Sequence, residues 1–321
     1  MRTWWRTLFL EVTDIDLAEQ IHHEHEKSEE PRCTTEMLLR RPFSRRAARV
    51  GGRALLRRMS GVARGPVEPI RAVVFDKDGT LLDAHATWAA PVRAACAGLL
   101  EAGAAGALDG AQLRALLGLD DGTGRFRHDA TFMLDSNEVV RAHLAAAGVD
   151  AALFQRLLDG ACAAPAFRIA HLAGVDAAGL FAALRGAGLL VGVLTSDDRA
   201  NALAFLADCD NGEGGGQGGG EGGGLRVDAL VCGDDGRGFK PDAAPLLAAA
   251  ADLGVPVHSV LMVGDSTHDV RCGAAAGAPT LGVLTGVGDA AGLRAADALL
   301  PSVSEMLTDK AFQERWLPGL L

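Results

Sequence analysis

Two aspartates, Asp76 and Asp78, stand on either side of a lysine in the stretch AVVFDKDGTLLD that runs from Ala72 to Asp83. The apolar run Val73-Val74-Phe75 stops abruptly at these acids, and Gly79 closes the turn, so the segment reads as a short buried strand that exits into carboxylates. Open α/β sheets place their ligands at that end of a strand. A solvated turn rich in Asp and Gly is the competing reading, since such turns commonly follow strands. Further along, three more groups of chemically capable residues recur: Thr195 and Ser196 after LLVGVL, Lys240 before Pro241, and Asp265 and Asp269 after SVLMV.

The elements that must position these residues alternate. Apolar runs at Leu189 to Leu194, Arg226 to Cys232, Ser259 to Val263, Pro279 to Leu284 and Ala298 to Leu300 read as strands, with helices near Arg199 to Ala207 and Asp242 to Leu253. Strand–helix alternation of this kind predicts an α/β fold, a parallel sheet with helices on both faces. In a parallel sheet the strands exit on one edge, so Asp76, Asp78, Thr195, Ser196, Asp265 and Asp269 should meet in one crevice, with Lys240 arriving from a loop. Four independent turns each supplying a reactive residue type argue against the solvated-turn reading.

Between the first strand and the second, residues 84–187 read as helical throughout, with breaks near Gly103, Asp120 to Gly124 and Gly160 to Pro165. Apolar spacings such as Val139, Leu144 and Val149 mark the buried faces. A helical block of this size inside an α/β core predicts an inserted domain over 84–187, the core being 70–83 and 188–301. Within the core, 211–224 carries ten glycines in fourteen residues, a composition that cannot pack and predicts a flexible surface loop. Residues 302–321 form a C-terminal tail, in which Trp316-Leu317-Pro318 packs on the body or frays.

Charge and composition narrow the partners. The 321 residues carry a net charge of −10, with 49% hydrophobic and 22% charged residues, ordinary for a globular protein. The charge is uneven: Leu38 to Gly65 holds nine Arg, no Lys and no acid, whereas the chain from Pro66 onward carries −14. So acidic a body repels nucleic acid, and any phosphate must be met locally by a metal or a few fixed donors. No stretch is apolar enough for a membrane span. The six cysteines are scattered without a C-x-x-C pair, which predicts reduced thiols and no structural zinc.

Residues 1–69 form an N-terminal extension. His22-His23-Glu24-His25 could bind a metal, but a solvated, partly helical acidic arm is the favoured reading. The Arg-rich segment that follows Met37 has the composition of an organelle transit peptide, with a basic surface arm or RNA-binding tail as the alternative. The expected location is the mitochondrion, with plastid or cytoplasm as alternatives.

Taken in order, D-K-D-G-T-L, L-T-S, K-P and G-D-S-x-x-D resemble the motif set of the haloacid dehalogenase-like hydrolase superfamily. The resemblance is closest to its phosphoglycolate phosphatase-like branch, including Cys232-Gly233-Asp234-Asp235 ahead of Lys240. It covers about 70–300; the first 69 residues and the Gly-rich stretch have no counterpart in it. The resemblance implies a Rossmann-like parallel sheet core with a helical cap domain inserted after the first strand, and a Mg²⁺-dependent phosphatase acting on a small phosphorylated metabolite, as a monomer or homodimer. It implies Asp76 as the nucleophile that takes the phosphoryl group, and Asp76, the Asp78 backbone carbonyl and Asp265 as Mg²⁺ ligands with Asp269 supporting them. The Asp78 side chain is then the general acid and base, Thr195 and Ser196 hold phosphoryl oxygens, and Lys240 supplies fixed positive charge.

Other outcomes remain open within the resemblance. A phosphosugar mutase shares the core set, and a catalytically silent binding module could keep the fold. A dehalogenase does not require Asp78, and an ion-pumping ATPase carries Thr at that position. Asp265 could additionally cap the helix that follows it, and His268 is expected to face solvent. Substrate choice is expected in the helical insertion near His85, Trp88 and Arg125 to His128, suggesting a small anionic phosphate such as phosphoglycolate or a sugar phosphate.

Overall fold

The computed structural model describes residues 66, 68–210 and 225–321. The extension before residue 66, with its transit-peptide and metal-binding readings, and the Gly-rich stretch 211–224 lie outside the described residues. Six parallel strands form one sheet in the order β3-β2-β1-β4-β5-β6. They are β1 (Ala72–Phe75), β2 (Leu190–Leu194), β3 (Ala229–Val231), β4 (Val260–Gly264), β5 (Thr280–Val283) and β6 (Ala298–Leu300). The fold is thus the expected Rossmann-like α/β sheet.

β1 lies at the centre, pairing with β2 on one side and β4 on the other, so that Phe75 stands level with both Val193 and Val263. All four β1 side chains are buried. Val73 and Phe75 enter one apolar cluster, Ala72 and Val74 the other. A strand covered on both faces must be apolar at every position, which explains its unbroken hydrophobic run.

Between β1 and β2 the chain forms α1 (Ala84–Glu101), α2 (Gly110–Leu116), α3 (Thr131–Leu134), α4 (Asn137–Ala146), α5 (Ala151–Ala163) and α6 (Ala177–Gly186). The Asp83 carboxylate caps α1 by accepting the Ala86 N–H at 3.0 Å. This helical stretch is not uniform. α6 lies against the sheet, where Phe181 stacks on Phe75 with ring centroids 5.4 Å apart, whereas α1 and α5 pack on each other. On α4 the buried positions are Val140 and Leu144, while Val139 is exposed, because a four-residue step follows the 3.6-residue helical repeat better than a five-residue one.

Beyond β2 come α7 (Arg199–Asp210), α8 (Ala244–Leu253), α9 (Thr267–Ala276) and, near the C-terminus, α10 (Lys310–Trp316). The tail packs on the body: Trp316 and Leu317 are buried, and Phe312 stacks on Trp316 at 6.3 Å. No helix among the described residues is long and apolar enough to cross a membrane.

Candidate active site

The exits of β1, β2 and β4 place Asp76, Thr195 and Asp265 side by side, and all three are buried. β1 stays hydrogen-bonded one residue beyond its end, the Asp76 N–H donating to the Val263 carbonyl at 2.8 Å. Lys240 reaches in from the segment between β3 and α8. Its Nζ donates to Asp76 Oδ1 and to Asp269 Oδ1, both at 2.7 Å. The expected constellation of Asp76, Asp265, Asp269, Thr195 and Lys240 therefore meets at one edge of the sheet.

Each acid is fixed by a local device. Asp269 occupies the first turn of α9, where the N-cap residue is Ser266; its Oδ2 accepts the Ser266 hydroxyl at 2.6 Å and the Ser266 N–H at 3.0 Å. The cap is therefore a Ser–Asp capping box and not Asp265, which leaves Asp265 free for the crevice. Asp265 Oδ2 accepts the Val287 N–H at 2.7 Å. Its approach demands glycine on both sides. A Cβ at Gly79, whose φ is +83°, would come within 2.6 Å of Asp265 Oδ2, and one at Gly286 within 1.9 Å. Gly286 and Val287 carried no recognisable signal in the sequence, because their importance comes only from what the chain brings beside them.

The electrostatics of this edge are severe. Burial pushes the Asp76 carboxyl up to about 7; Lys240 opposes that rise, while Asp269 and Asp78 add to it. Burial also raises Asp265 well above the carboxylate range, helped by Asp76 and Asp269. For Lys240, burial works against the ammonium, but Asp269 and Asp76 more than offset it and hold it protonated. The protein thus gathers three buried carboxyl groups around one lysine, more than that lysine could neutralise if all were ionised. Asp76, Asp265 and Asp269 each offer an oxygen within 4.8 Å of the others. Buried, oxygen-only and short of positive charge, this donor set fits a hard divalent cation such as Mg²⁺.

Asp78 lies next to the cluster in a different setting. Its Oδ2 is 2.6 Å from Lys77 Nζ, and its Oδ1 accepts the Trp88 indole N–H at 2.5 Å. Lys77 is fully buried and also pairs with Asp197 Oδ2 at 3.0 Å. Burial opposes its charge, yet Asp78 and Asp197 hold it above the ordinary lysine range. The sequence shows the Asp-Lys-Asp triplet but gives no sign that the lysine folds inward to these two acids.

A cavity of about 430 Å³ opens over the edge, and Asp76, Asp78, Thr195, Ser196 and Lys240 line its floor. Its walls come from the helical insertion and from the segment after β2, where Asp197, Asp198, Ala200 and Asn201 line it. Asn137 and Arg141, one turn apart on α4, face it, as do Gln155, Leu158, Asp159 and Cys162, a single stripe on α5. Trp88 lines it as expected, but His85 and Arg125 to His128 do not. His85 is buried, with Nδ1 accepting the Phe126 N–H at 3.1 Å and Nε2 3.3 Å from the Gly286 carbonyl. Arg127 turns to Asp129 and to the Ala115 carbonyl. His268 is not a solvent-facing bystander either. Its Nδ1 lies 3.2 Å from the Leu134 carbonyl, which also accepts the Ser196 hydroxyl at 3.1 Å. Ser196 thus ties the end of α3 to the sheet edge with its hydroxyl while lining the cavity.

Comparison with known proteins agrees with this arrangement. A family model described as haloacid dehalogenase-like hydrolase matches residues 70–277. The phosphoglycolate phosphatase of Salmonella choleraesuis (strain SC-B67) is 27% identical over 256 residues, spanning 75% of this chain and 92% of that protein. That of Escherichia coli (strain K12) is 28% identical over 255 residues with the same coverage. Among solved structures, CbbY from Rhodobacter sphaeroides in complex with phosphate superposes with a TM-score of 0.54 at 22% identity, covering 78% of this chain and 99% of its own, a likeness of fold.

Proposed function

The chain belongs to the haloacid dehalogenase-like hydrolase family and is a phosphoric monoester hydrolase; from that premise we propose that it cleaves a small organic phosphate through an aspartyl-phosphate formed on Asp76. The observation that carries this reading is the Lys240 ammonium held 2.7 Å from both Asp76 and Asp269 beside the buried Asp265. An ion pair buried this deeply is a weak source of stability, so its presence at a cavity floor points to use.

The steps follow from the positions. An Asp76 carboxylate oxygen attacks phosphorus as the bond from phosphorus to the ester oxygen breaks. The departing oxygen takes a proton from Asp78 and leaves as an alcohol. Water then attacks the phosphorus of the aspartyl-phosphate, giving its proton to Asp78, and Asp76 is released with inorganic phosphate. Thr195 and the backbone N–H groups around Lys77 and Ser196 hold phosphoryl oxygens. Lys240 offsets the charge that gathers on the transferring group. Asp76, the Asp78 backbone carbonyl and Asp265 would hold Mg²⁺, with Asp269 braced behind them. When bound, the ion supplies positive charge that cancels repulsion between the carboxylate and the phosphate dianion.

2-Phosphoglycolate, the substrate in the relatives' names, and a sugar phosphate are the substrates to try first. The test is release of inorganic phosphate with and without Mg²⁺, together with acid-quench trapping of phosphate on the protein. Mg²⁺-dependent release with label on Asp76 is expected. Turnover with no label on Asp76 would remove the covalent step; no turnover of any ester would remove the reading.

A further inference from the structure

Nothing in the phosphatase chemistry itself explains the buried Lys77 or the indole N–H aimed at Asp78. We propose that Trp88 and Lys77 are positioning residues that fix the Asp78 carboxylate for proton transfer, so that the first helix of the insertion sets the aim of a group on the sheet. This rests on Asp78 as the proton donor and acceptor.

A carboxylate at a strand exit can turn about its side-chain bonds, and an acid aimed at a departing oxygen must not. Here each oxygen is engaged by its own donor: Trp88 Nε1 donates to Oδ1 at 2.5 Å, and Lys77 Nζ stands 2.6 Å from Oδ2. A carboxylate offers about four acceptor directions, so two donors fix its plane and leave others for a substrate oxygen or a water. Asp78 and Trp88 both line the cavity, whereas Lys77 does not; the lysine acts from beneath.

The two donors are themselves held. Lys77 is 1% exposed and is braced by Asp197 Oδ2 at 3.0 Å. Asp197 is in turn fixed through Oδ1, which accepts the Asp198 N–H and the Asn201 side-chain amide, both at 2.8 Å. The Trp88 ring packs against Phe132 and Phe167 at 6.0 and 6.3 Å, and the Lys77 ammonium lies 5.4 Å from its centroid. A chain of contacts therefore runs from the β2 exit through Lys77 to Asp78 and meets the insertion at Trp88. A lysine that only neutralised Asp197 would not need Asp78, and a tryptophan that only filled the insertion's core would not need its N–H directed at a carboxylate.

The experiment separates proton transfer from the rest of the reaction. Trp88→Phe keeps the ring and removes the donor. The double variant Lys77→Met/Asp197→Asn removes the brace without changing net charge. Each is measured for kcat/KM on an alkyl phosphate, whose leaving oxygen needs a proton, and on 4-nitrophenyl phosphate, whose leaving oxygen does not. The expected result is a loss of about tenfold or more on the alkyl ester and about twofold or less on the nitrophenyl ester, in line with losing one hydrogen bond to a charged group. Added to Asp78→Asn, Trp88→Phe should cost nothing further on the alkyl ester, since the two act as one unit.

Equal losses on both esters, or additive losses with Asp78→Asn, would overturn the positioning role while leaving the phosphatase standing. A wild-type enzyme inactive on both esters with Mg²⁺ would overturn that reading and this proposal together. Thermal melting monitors folding. Where Trp88→Phe does not fold, the double variant decides by the same two ratios.

Discussion

The sheet edge and the insertion above it meet in one cavity but are built on different terms. At the edge, backbone geometry does the positioning: three adjacent parallel strands end within one residue of each other, and the residues that follow them, Asp76, Thr195 and Asp265, are brought together. In the insertion, rotation and docking of helices decide. Asn137 and Arg141 face the cavity because α4 turns that way, while Arg127 lies outside it on a neighbouring connection. The reactive groups are therefore fixed where the chain has least freedom, and on the proposed reading selectivity would rest where small shifts in helix packing re-aim side chains.

The largest expected effect lies at the rigid end. Asp76→Asn should lower turnover by at least about 10⁴-fold, since it removes the proposed phosphoryl acceptor. The protein should still fold, because the substitution removes a carboxylate that burial disfavours. Steady-state kinetics beside a thermal melt checks both; substantial turnover in the folded variant would unseat Asp76.

Lys240→Met should come next. It strips the shared cation from Asp76 and Asp269 and should reduce kcat by about 10²–10³-fold, the scale of losing one fixed stabilising group. It also strands buried carboxylates, so metal-free stability should fall by about 3–5 kcal/mol. Denaturant unfolding with excess EDTA measures that loss, and an unchanged midpoint would mean that the pair carries no structural role.

This contrast also explains what could be read in advance. Asp76, Asp265, Lys240 and the parallel sheet were legible because strand exits convert sequence order directly into spatial neighbourhood. His85 and Arg125 to His128 lie outside the cavity: His85 is buried between Phe126 and Gly286, and Arg125 to His128 sit in the connection between α2 and α3, whose course no periodicity in the sequence dictates. Asp265 as a helix cap failed for a related reason: Ser266 and Asp269 form a reciprocal capping box one residue later, and only one residue can be the cap. Lys77 was hidden because a buried lysine is recognised only by the acids around it, and Asp197 is far away in sequence.

A pH experiment probes the edge as a cation site. Asp76 is raised to about 7 in the fold from 3.8. Between those values the folded state binds more protons than the unfolded one, so metal-free stability should fall as pH rises through that window. Mg²⁺ requires the ionised acid, so its stabilising effect should grow over the same range. Thermal midpoints with EDTA and with Mg²⁺ should separate progressively from pH about 5 to about 8. A constant separation would mean that Asp76 does not titrate against the metal.

The insertion side of the comparison is sharpened by two arginines. Arg141 lines the cavity, whereas Arg127 is tied to Asp129 and the Ala115 carbonyl. Arg141→Ala should raise KM several-fold for the preferred ester, about 1 kcal/mol of binding, with kcat little changed. Arg127→Ala should leave both constants within about twofold. An effect of Arg127→Ala equal to that of Arg141→Ala would show that the described cavity is not where the substrate is chosen.

The smallest effect is expected from the glycine stretch 211–224. Ten of the fourteen residues in 211–224 are glycine, and the stretch offers no apolar side chain to a core. The described residues on either side already meet, for the Leu225 N–H donates to the Leu206 carbonyl of α7 at 2.8 Å. Closing a connection whose ends are neighbours depends only weakly on its length, each doubling adding about 0.6 kcal/mol of entropic cost. Replacing Gly212 to Gly224 by a short linker should therefore shift stability by about 1 kcal/mol or less and leave kcat/KM within about twofold for every ester tested. Cys209 and Leu225 pack against the main apolar cluster, so the cut must spare both. A selective loss on one ester would place the glycine stretch among the substrate contacts, and selectivity would then not rest with the insertion alone.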